Sequence, residues 1–283
     1  MPRYYSRQFE PFGVAVTAPM SFHALRFNRS ASAYESHAEI QSRMAERLVG
    51  LSQDLNPGDI LEFGCGTGIL TRRLLQRFPA VPLLATDAAP AMLDEARKRT
   101  GTRSSDSLKF AEQDVGGSTK ASPEISSQSP YGLLASNALV QWFSNLESHF
   151  RFAAQLVKPN GAYLVSGFSQ SNFPELNFIL ALPPFSYQTF PGQDSESIRK
   201  AASAASWKVE TIQEWEEVEL LPSAMEVLHR IQALGSTRDT KQGGRLNRKN
   251  LNYLITEYER RFSQPEGVRL TWKPWAALLK QED

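Results

Sequence analysis

Short apolar runs alternate with longer amphipathic stretches along this chain. Ile40, Met44, Leu48 and Leu51 recur at helical spacing, which predicts a helix over 33–55. Asn56-Pro57-Gly58-Asp59 reads as a turn, and Ile60-Leu61-Glu62-Phe63 as the first strand. The pattern then predicts a helix over 70–78, a second strand over 81–86 closed by Asp87, and a helix from Pro90 towards Arg99. A short third strand is expected at 108–111, a Gly/Ser/Pro-rich surface loop at 116–130 and a fourth strand at 131–136. A helix at 146–157 and, after Pro159-Asn160-Gly161, a fifth strand at 162–168 complete the alternation. Strands separated by helices imply a mostly parallel sheet covered on both faces, an α/β fold.

Beyond Phe168 the rhythm changes. Helices are expected at 172–182, 195–205, 223–234 and 249–262, strand-like alternation at 207–220, and a loop at 235–245. Residues 268–279 read as a last strand, which Pro274 restricts to an edge or a bend. These elements are expected to cap the sheet rather than to form an independent domain.

Composition narrows the function classes. The chain has 283 residues, 41% of them hydrophobic and 22% charged, with a net charge of +1. No global field draws it to nucleic acid or an anionic membrane. No apolar run approaches the ~18 residues of a membrane span, and Val14-Ala15-Val16 is too short for a signal-peptide core. Cys65 is the only cysteine, so no intrachain disulfide can form and a reducing cytoplasm is the expected location. Four scattered histidines (His23, His37, His149, His229) argue against a zinc site, and no metal is expected.

The candidate chemistry begins at Glu62-Phe63-Gly64-Cys65-Gly66-Thr67-Gly68-Ile69-Leu70. A strand runs into a helix through three alternating glycines, which admit positive φ and let a ligand approach the backbone. The helix N-terminus offers free N–H groups to whatever lies above the turn. The spacing is G-x-G-x-G, with Ile69 in place of the third glycine of nicotinamide-binding turns. Glu62 can accept a hydrogen bond from a cationic amine. This segment resembles the first motif of the S-adenosylmethionine-dependent methyltransferases, which implies a Rossmann-like class I fold with a seven-stranded sheet and a C-terminal helical cap. The implied cofactor set is Glu62, Gly64, Cys65, Gly66 and Gly68. Asp87 with Ala88 would hold the ribose hydroxyls, Asp114 and Val115 the adenine with Met92 on its ring face, and Asn137 and Gln141 lie at the end of the fourth strand. Gly132 departs from the aspartate common in such proteins.

The chain further resembles the malonyl-acyl-carrier-protein O-methyltransferases of biotin biosynthesis from about Arg26 onward. Matching segments are Arg26-Phe27-Asn28-Arg29-Ser30-Ala31-Ser32-Ala33-Tyr34, the glycine motif, Ser136-Asn137-Ala138 with Gln141-Trp142-Phe143, Phe173-Pro174-Glu175-Leu176 and Leu234-Gly235-Ser236-Thr237. Trp272 replaces a common tyrosine and Ser236 a usual alanine. The resemblance implies a lid in 1–32, a methyltransferase domain over 33–283, and cap and acceptor-binding insertions within 172–262. It places Tyr34 near the reacting methyl group, as the catalytic candidate. Arg26, His37, Trp142, Phe168 and Arg230 are the candidates around the acceptor.

The implied acceptor is the free carboxylate of malonyl-acyl carrier protein, with malonyl-coenzyme A as the other carrier. A carboxylate is ionised near neutral pH, so no strong general base is required. No Ser/His/Asp or Cys/His constellation falls at the strand ends. An acidic carrier would use a basic surface, and Lys241, Arg245, Arg248, Lys249, Arg260 and Arg261 form the densest positive region. The competing readings are a methyltransferase acting on a small molecule such as a quinone precursor, and a cofactor-binding partner subunit without turnover.

Overall fold

The structure is a computed structural model that describes residues 38–101, 107–115, 120–143, 145–185, 192–233 and 247–282. Helix α1 (Glu39–Gly50) precedes β1 (Ile60–Phe63), α2 (Ile69–Arg77), β2 (Leu83–Asp87), α3 (Pro90–Thr100) and β3 (Leu108–Glu112). A short helix α4 (Pro123–Ser126), β4 (Tyr131–Ser136), a 3₁₀ turn (Val140–Trp142), α5 (Leu146–Ala154) and β5 (Val157–Phe168) follow. The remainder comprises α6 (Pro174–Leu180), α7 (Ser195–Ser203), β6 (Trp207–Glu214), β7 (Glu217–Leu221), α8 (Ala224–Ala233), α9 (Arg248–Phe262), β8 (Ser263–Gln264), β9 (Gly267–Trp272) and β10 (Pro274–Gln281).

Seven strands form one sheet in the order β3-β2-β1-β4-β5-β10-β6, and three form a second in the order β7-β9-β8. The pairs among β1 to β5 are parallel, and β10 runs antiparallel to both β5 and β6. Successive residues of the strands enter different cores, as a sheet buried on both faces requires. Ile60, Ala85, Leu133 and Leu164 meet α1 and α2 through Met44, Leu48, Leu70 and Leu74. Leu61, Leu84, Leu134 and Val165 meet α5 and α7 through Phe150, Ala153, Ile198 and Ala202.

Three differences from the expected elements have physical causes. Residues 207–220 do not make one strand: the chain turns at Trp215 and Glu216, and β6 and β7 enter different sheets. Residues 268–279 likewise divide at Lys273 into β9 and β10. Pro274 does mark a bend, but the strand it opens lies inside the large sheet and not at an edge. As the first residue of β10 it lacks only a donor that the ladder does not need, and its carbonyl accepts from Trp215 N at 3.1 Å. Gly132, where an aspartate was anticipated, donates its N–H to Asp59 at 2.6 Å, and Lys158 Nζ meets both oxygens of that carboxylate at 2.8 and 2.9 Å. The acid is supplied from the preceding turn, and a second carboxylate at 132 would face it.

The cap joins the sheet at one edge. The chain leaves the large sheet at Phe168 and at Glu214, and returns at Pro274. Phe168 pairs with Pro274 and Glu214 with Trp275, so all three crossings are neighbours. Helices α6, α8 and α9 and the small sheet therefore stand beside the carboxyl ends of the parallel strands. Their core, with Phe173, Leu176, Leu228, Leu254 and Trp272, is continuous with that under α1 and α2.

Candidate active site

Strand order reverses between β1 and β4, whose following connections depart in opposite directions and leave a crevice above their carboxyl ends. Phe63 and Ser136 are register partners, so the loops after them face each other across it. On the β1 side Gly64, Gly66 and Gly68 have φ of +63°, +53° and +84°. A Cβ on Gly64 would lie 2.8 Å from Leu139 Cδ1, whereas one on Gly66 would meet nothing within 4 Å. The first glycine serves close packing, and the second borders open space.

Two carboxyl groups organise the floor. Glu62 is buried and its Oε2 accepts from Thr71 Oγ1 at 2.7 Å. Burial, reinforced by nearby Asp87 and opposed by the Thr71 hydrogen bonds, pushes its pKa up to about 8. At the end of β2, Asp87 accepts from Gly66 N at 2.9 Å and from Ala89 N at 2.8 Å. Desolvation outweighs these bonds, and its pKa rises to about 6. Each oxygen takes one of these backbone bonds, and a carboxylate oxygen can accept another. Cys65 is buried, and desolvation, reinforced by Asp87 and Glu62, pushes its thiol up, so it stays protonated and packs.

The other anticipated residues fall on the same rim. Ala88 follows Asp87, Met92 and Val115 are buried, and Asp114 is close enough to raise the Asp87 pKa. Asn137, however, is engaged on both sides: its Nδ2 donates to Gln41 O at 3.0 Å and its Oδ1 accepts from Ser166 Oγ at 2.7 Å. Its side chain ties α1 to the ends of β4 and β5. Gln141 Nε2 donates to Ala138 O at 2.6 Å, which leaves its buried Oε1 without a partner. Thr67 Oγ1 and Gln41 Oε1 are buried and unpaired as well. Such atoms are costly unless a ligand completes them. With the open space over Gly66, they fit a polar, amine-bearing cofactor. Thr71 and Gln41 were not anticipated from sequence. The available signal for Gln41 was one polar residue within the apolar stripe of α1.

The acceptor-side candidates separate. Tyr34, Arg26 and His37 lie outside the described residues, as do Lys241, Arg245 and the segment 234–237. Trp142 packs half-buried against the core under α5. Phe168 sits between sheet and cap, its ring 5.6 Å from that of Trp272. Arg230 of α8 meets Glu219 Oε1 at 3.3 Å, leaving Arg230 Nε and Glu219 Oε2 buried without partners. Phe173-Pro174-Glu175-Leu176 proves to be an anchor: Glu175 accepts from Thr271 N and Arg269 Nε, each at 3.1 Å, and from the Thr271 hydroxyl. His149 is buried, with Nε2 2.8 Å from Tyr163 Oη, and desolvation lowers its pKa to about 3. Among the described residues no group of three or more His, Cys, Asp or Glu side chains could hold a metal ion.

Known proteins share this arrangement. The family model described as "Methyltransferase domain" matches residues 61–163. Malonyl-[acyl-carrier protein] O-methyltransferase of Priestia megaterium is 27% identical over 87% of this chain and 92% of its own length. The protein of the same name from Acetivibrio thermocellus is 29% identical over 88% and 89%. Among solved structures, the YcgJ protein of Bacillus subtilis superposes with a TM-score of 0.59 at 12% identity, covering 85% of this chain and 99% of that one. A putative methyltransferase of Bacillus halodurans gives 0.59 at 12% identity over 84% and 99%. Fold, glycine loop and acidic strand ends thus agree with the matched domain, and the relatives continue through the cap: the chain is a Rossmann-like class I methyltransferase that uses S-adenosylmethionine and is similar along most of its length to the malonyl-[acyl-carrier protein] O-methyltransferases.

Proposed function

We propose that this enzyme transfers a methyl group to the free carboxylate of a malonyl group carried on acyl carrier protein, masking its charge as a methyl ester for biotin biosynthesis. The observation that carries the reading is the reach of the similarity, which covers 87% of the chain and so includes the cap beside the crevice. The cap stands where an acceptor must enter. A second observation agrees with it: the one described histidine near the strand ends, His149, is buried and held neutral. A carboxylate acceptor is already ionised near neutral pH and needs no base to activate it.

When bound, S-adenosylmethionine would supply an electrophilic methyl group: a C–O bond to the acceptor forms in line as the C–S bond breaks, and S-adenosylhomocysteine leaves. The chain's own task is to bind, orient and exclude water, and orientation alone lowers such barriers by roughly 7–11 kcal/mol in favourable models. In this reading Glu62 receives the cofactor's amine and Asp87 its ribose hydroxyls. Asp114, Val115 and Met92 enclose the adenine, and Gln141, Thr67 and the glycine loop line the remainder. Tyr34 supplies a hydroxyl beside the reacting carboxylate. Arg26 and Arg230 are the guanidinium candidates for that carboxylate, and Arg230 can serve only by exchanging Glu219. The cytoplasm is the proposed location; no described helix is long and apolar enough to cross a membrane.

Incubation with methyl-labelled cofactor and malonyl-acyl carrier protein should yield a base-labile methyl ester on the carrier. An unlabelled carrier together with a methylated ring compound would establish the small-molecule reading instead. Cofactor binding without any product would leave the silent partner subunit.

A further inference from the structure

We propose that the outer face of α9, joined by Phe178 of α6, is the docking surface for the acidic carrier; this rests on the carrier-linked acceptor proposed above. Lys249, Tyr253, Thr256 and Arg260 recur at intervals of four, three and four along α9, all exposed, with Arg248 and Asn252 beside them. That spacing places them on one stripe of a helix. Both acids of α9 are engaged, Glu257 with a cation of the stripe itself and its neighbour, and Glu259 with the backbone of α8. Glu257 is held by Arg260 Nη2 at 2.7 Å and by Arg261 Nε at 3.0 Å, and Glu259 accepts from Ala224 N at 3.2 Å. No acidic residue of α6 or α9 is exposed. The face is thus cationic although the chain as a whole is nearly neutral.

Apolar groups complete it. Phe178 is 49% and Tyr253 38% exposed, two of the four large apolar side chains exposed among the described residues. The Arg261 guanidinium lies 5.2 Å from the centroid of the Phe178 ring, and that ring meets Phe262 edge-on at 6.3 Å. Exposed aromatics flanked by cations are suited to an acidic protein surface, where aromatic rings anchor and charges steer. Position agrees with charge. Helix α6 begins just past the carboxyl end of β5, and α9 packs on it, so the stripe is mounted on the crevice side. A carrier seated there would also present the phosphodiester of its flexible arm to the same cations, with the acyl end free to reach the crevice.

The test compares malonyl-acyl carrier protein with malonyl-coenzyme A as acceptors for the full chain. Arg248→Glu with Lys249→Glu is the informative variant, because acids in the first turn of a helix favour its folding. KM for the carrier substrate should rise about tenfold or more, while kcat/KM for the coenzyme A substrate stays within about twofold. Tyr253→Ala should act in the same direction, and Lys109→Glu, which reverses one exposed positive charge on edge strand β3, should not. Unchanged KM for the carrier, an equal loss with both acceptors, or an equal effect of Lys109→Glu would overturn the docking surface. A Tyr253→Ala variant that halves the mass in solution would also overturn it, by assigning the face to a second copy of the chain. Wild-type enzyme that binds cofactor yet methylates neither malonyl substrate would instead refute the acceptor reading, and the surface with it.

Discussion

Asp87 accepts from Gly66 on one carboxylate oxygen and from Ala89 on the other, so one side chain fixes the glycine loop while standing at the strand end where a ribose hydroxyl can reach it. Asp87→Ala should weaken S-adenosylmethionine binding by about tenfold or more, since a hydrogen bond to a charged group contributes roughly 1.5–3 kcal/mol. Titration calorimetry reads this directly, and unaltered affinity would remove Asp87 from the ribose site. Glu62 sets a pH dependence. Its pKa is about 8 in the folded chain against an ordinary 4.5, so the folded state binds the extra proton between those values. The resulting stability is complete below about pH 4.5 and is lost as pH rises through about 8. Melting temperatures of the ligand-free protein should therefore fall from about pH 6 to about pH 8.5 for wild type, and fall less for Glu62→Gln. An amine-bearing cofactor favours the ionised form, so its binding near neutral pH should release a proton, visible as a buffer-dependent enthalpy. Both acids were legible in the sequence because each closes a strand beside a turn. Thr71 and Gln41 were not, because nothing in a linear pattern shows which polar side chain on a buried helix face turns towards a carboxyl or a crevice.

Between the strand and the helix, the glycine loop assigns different duties to neighbouring glycines. Any Cβ there meets a positive φ that costs about 1–2 kcal/mol. Gly64→Ala adds a contact with Leu139 and should lower the melting temperature. Gly66→Ala projects a methyl into open space and should chiefly abolish cofactor binding. Equal effects of the two on both measurements would contradict this division. At this scale the sequence marked the first four strands well, because apolar runs ending in Gly, Asp or Asn punctuate a parallel sheet; β5 instead begins at Val157 and runs through Pro159-Asn160-Gly161, which had read as a turn. It merged β6 with β7 and β9 with β10, because side chains alternate through both members of each pair and only the intervening turn sends them to different sheets. The short helix α4 was read as loop because four residues hold too little periodicity to be seen.

For the molecule as a whole, the cap shares one apolar core with the region under α1 and α2, and polar contacts supplement it. Inside the cap Glu175 of α6 binds Thr271 and Arg269 of β9, while Arg43 of α1 pairs with Glu217 of β7 and Arg47 of α1 lies 4.6 Å above the Trp215 ring. Glu175→Ala would leave the buried Thr271 N–H unsatisfied, at a cost of about 1–3 kcal/mol. Chemical denaturation should show that loss, and an unchanged midpoint would show the anchor to be dispensable. The sequence suggested a cap from its change of rhythm, but its attachment was hidden, since strand partners 60 or more residues apart are set by tertiary packing.

The placement of β10 between β5 and β6 has a consequence for biosynthesis. As the nascent chain emerges, β6 has no neighbour to join until every intervening residue of the cap has followed it. Two bare strand margins then flank a vacant slot, open to capture by another polypeptide. The large sheet is thus completed by the last strand to arrive, and a chain cut short before Pro274 would leave β5 and β6 unjoined.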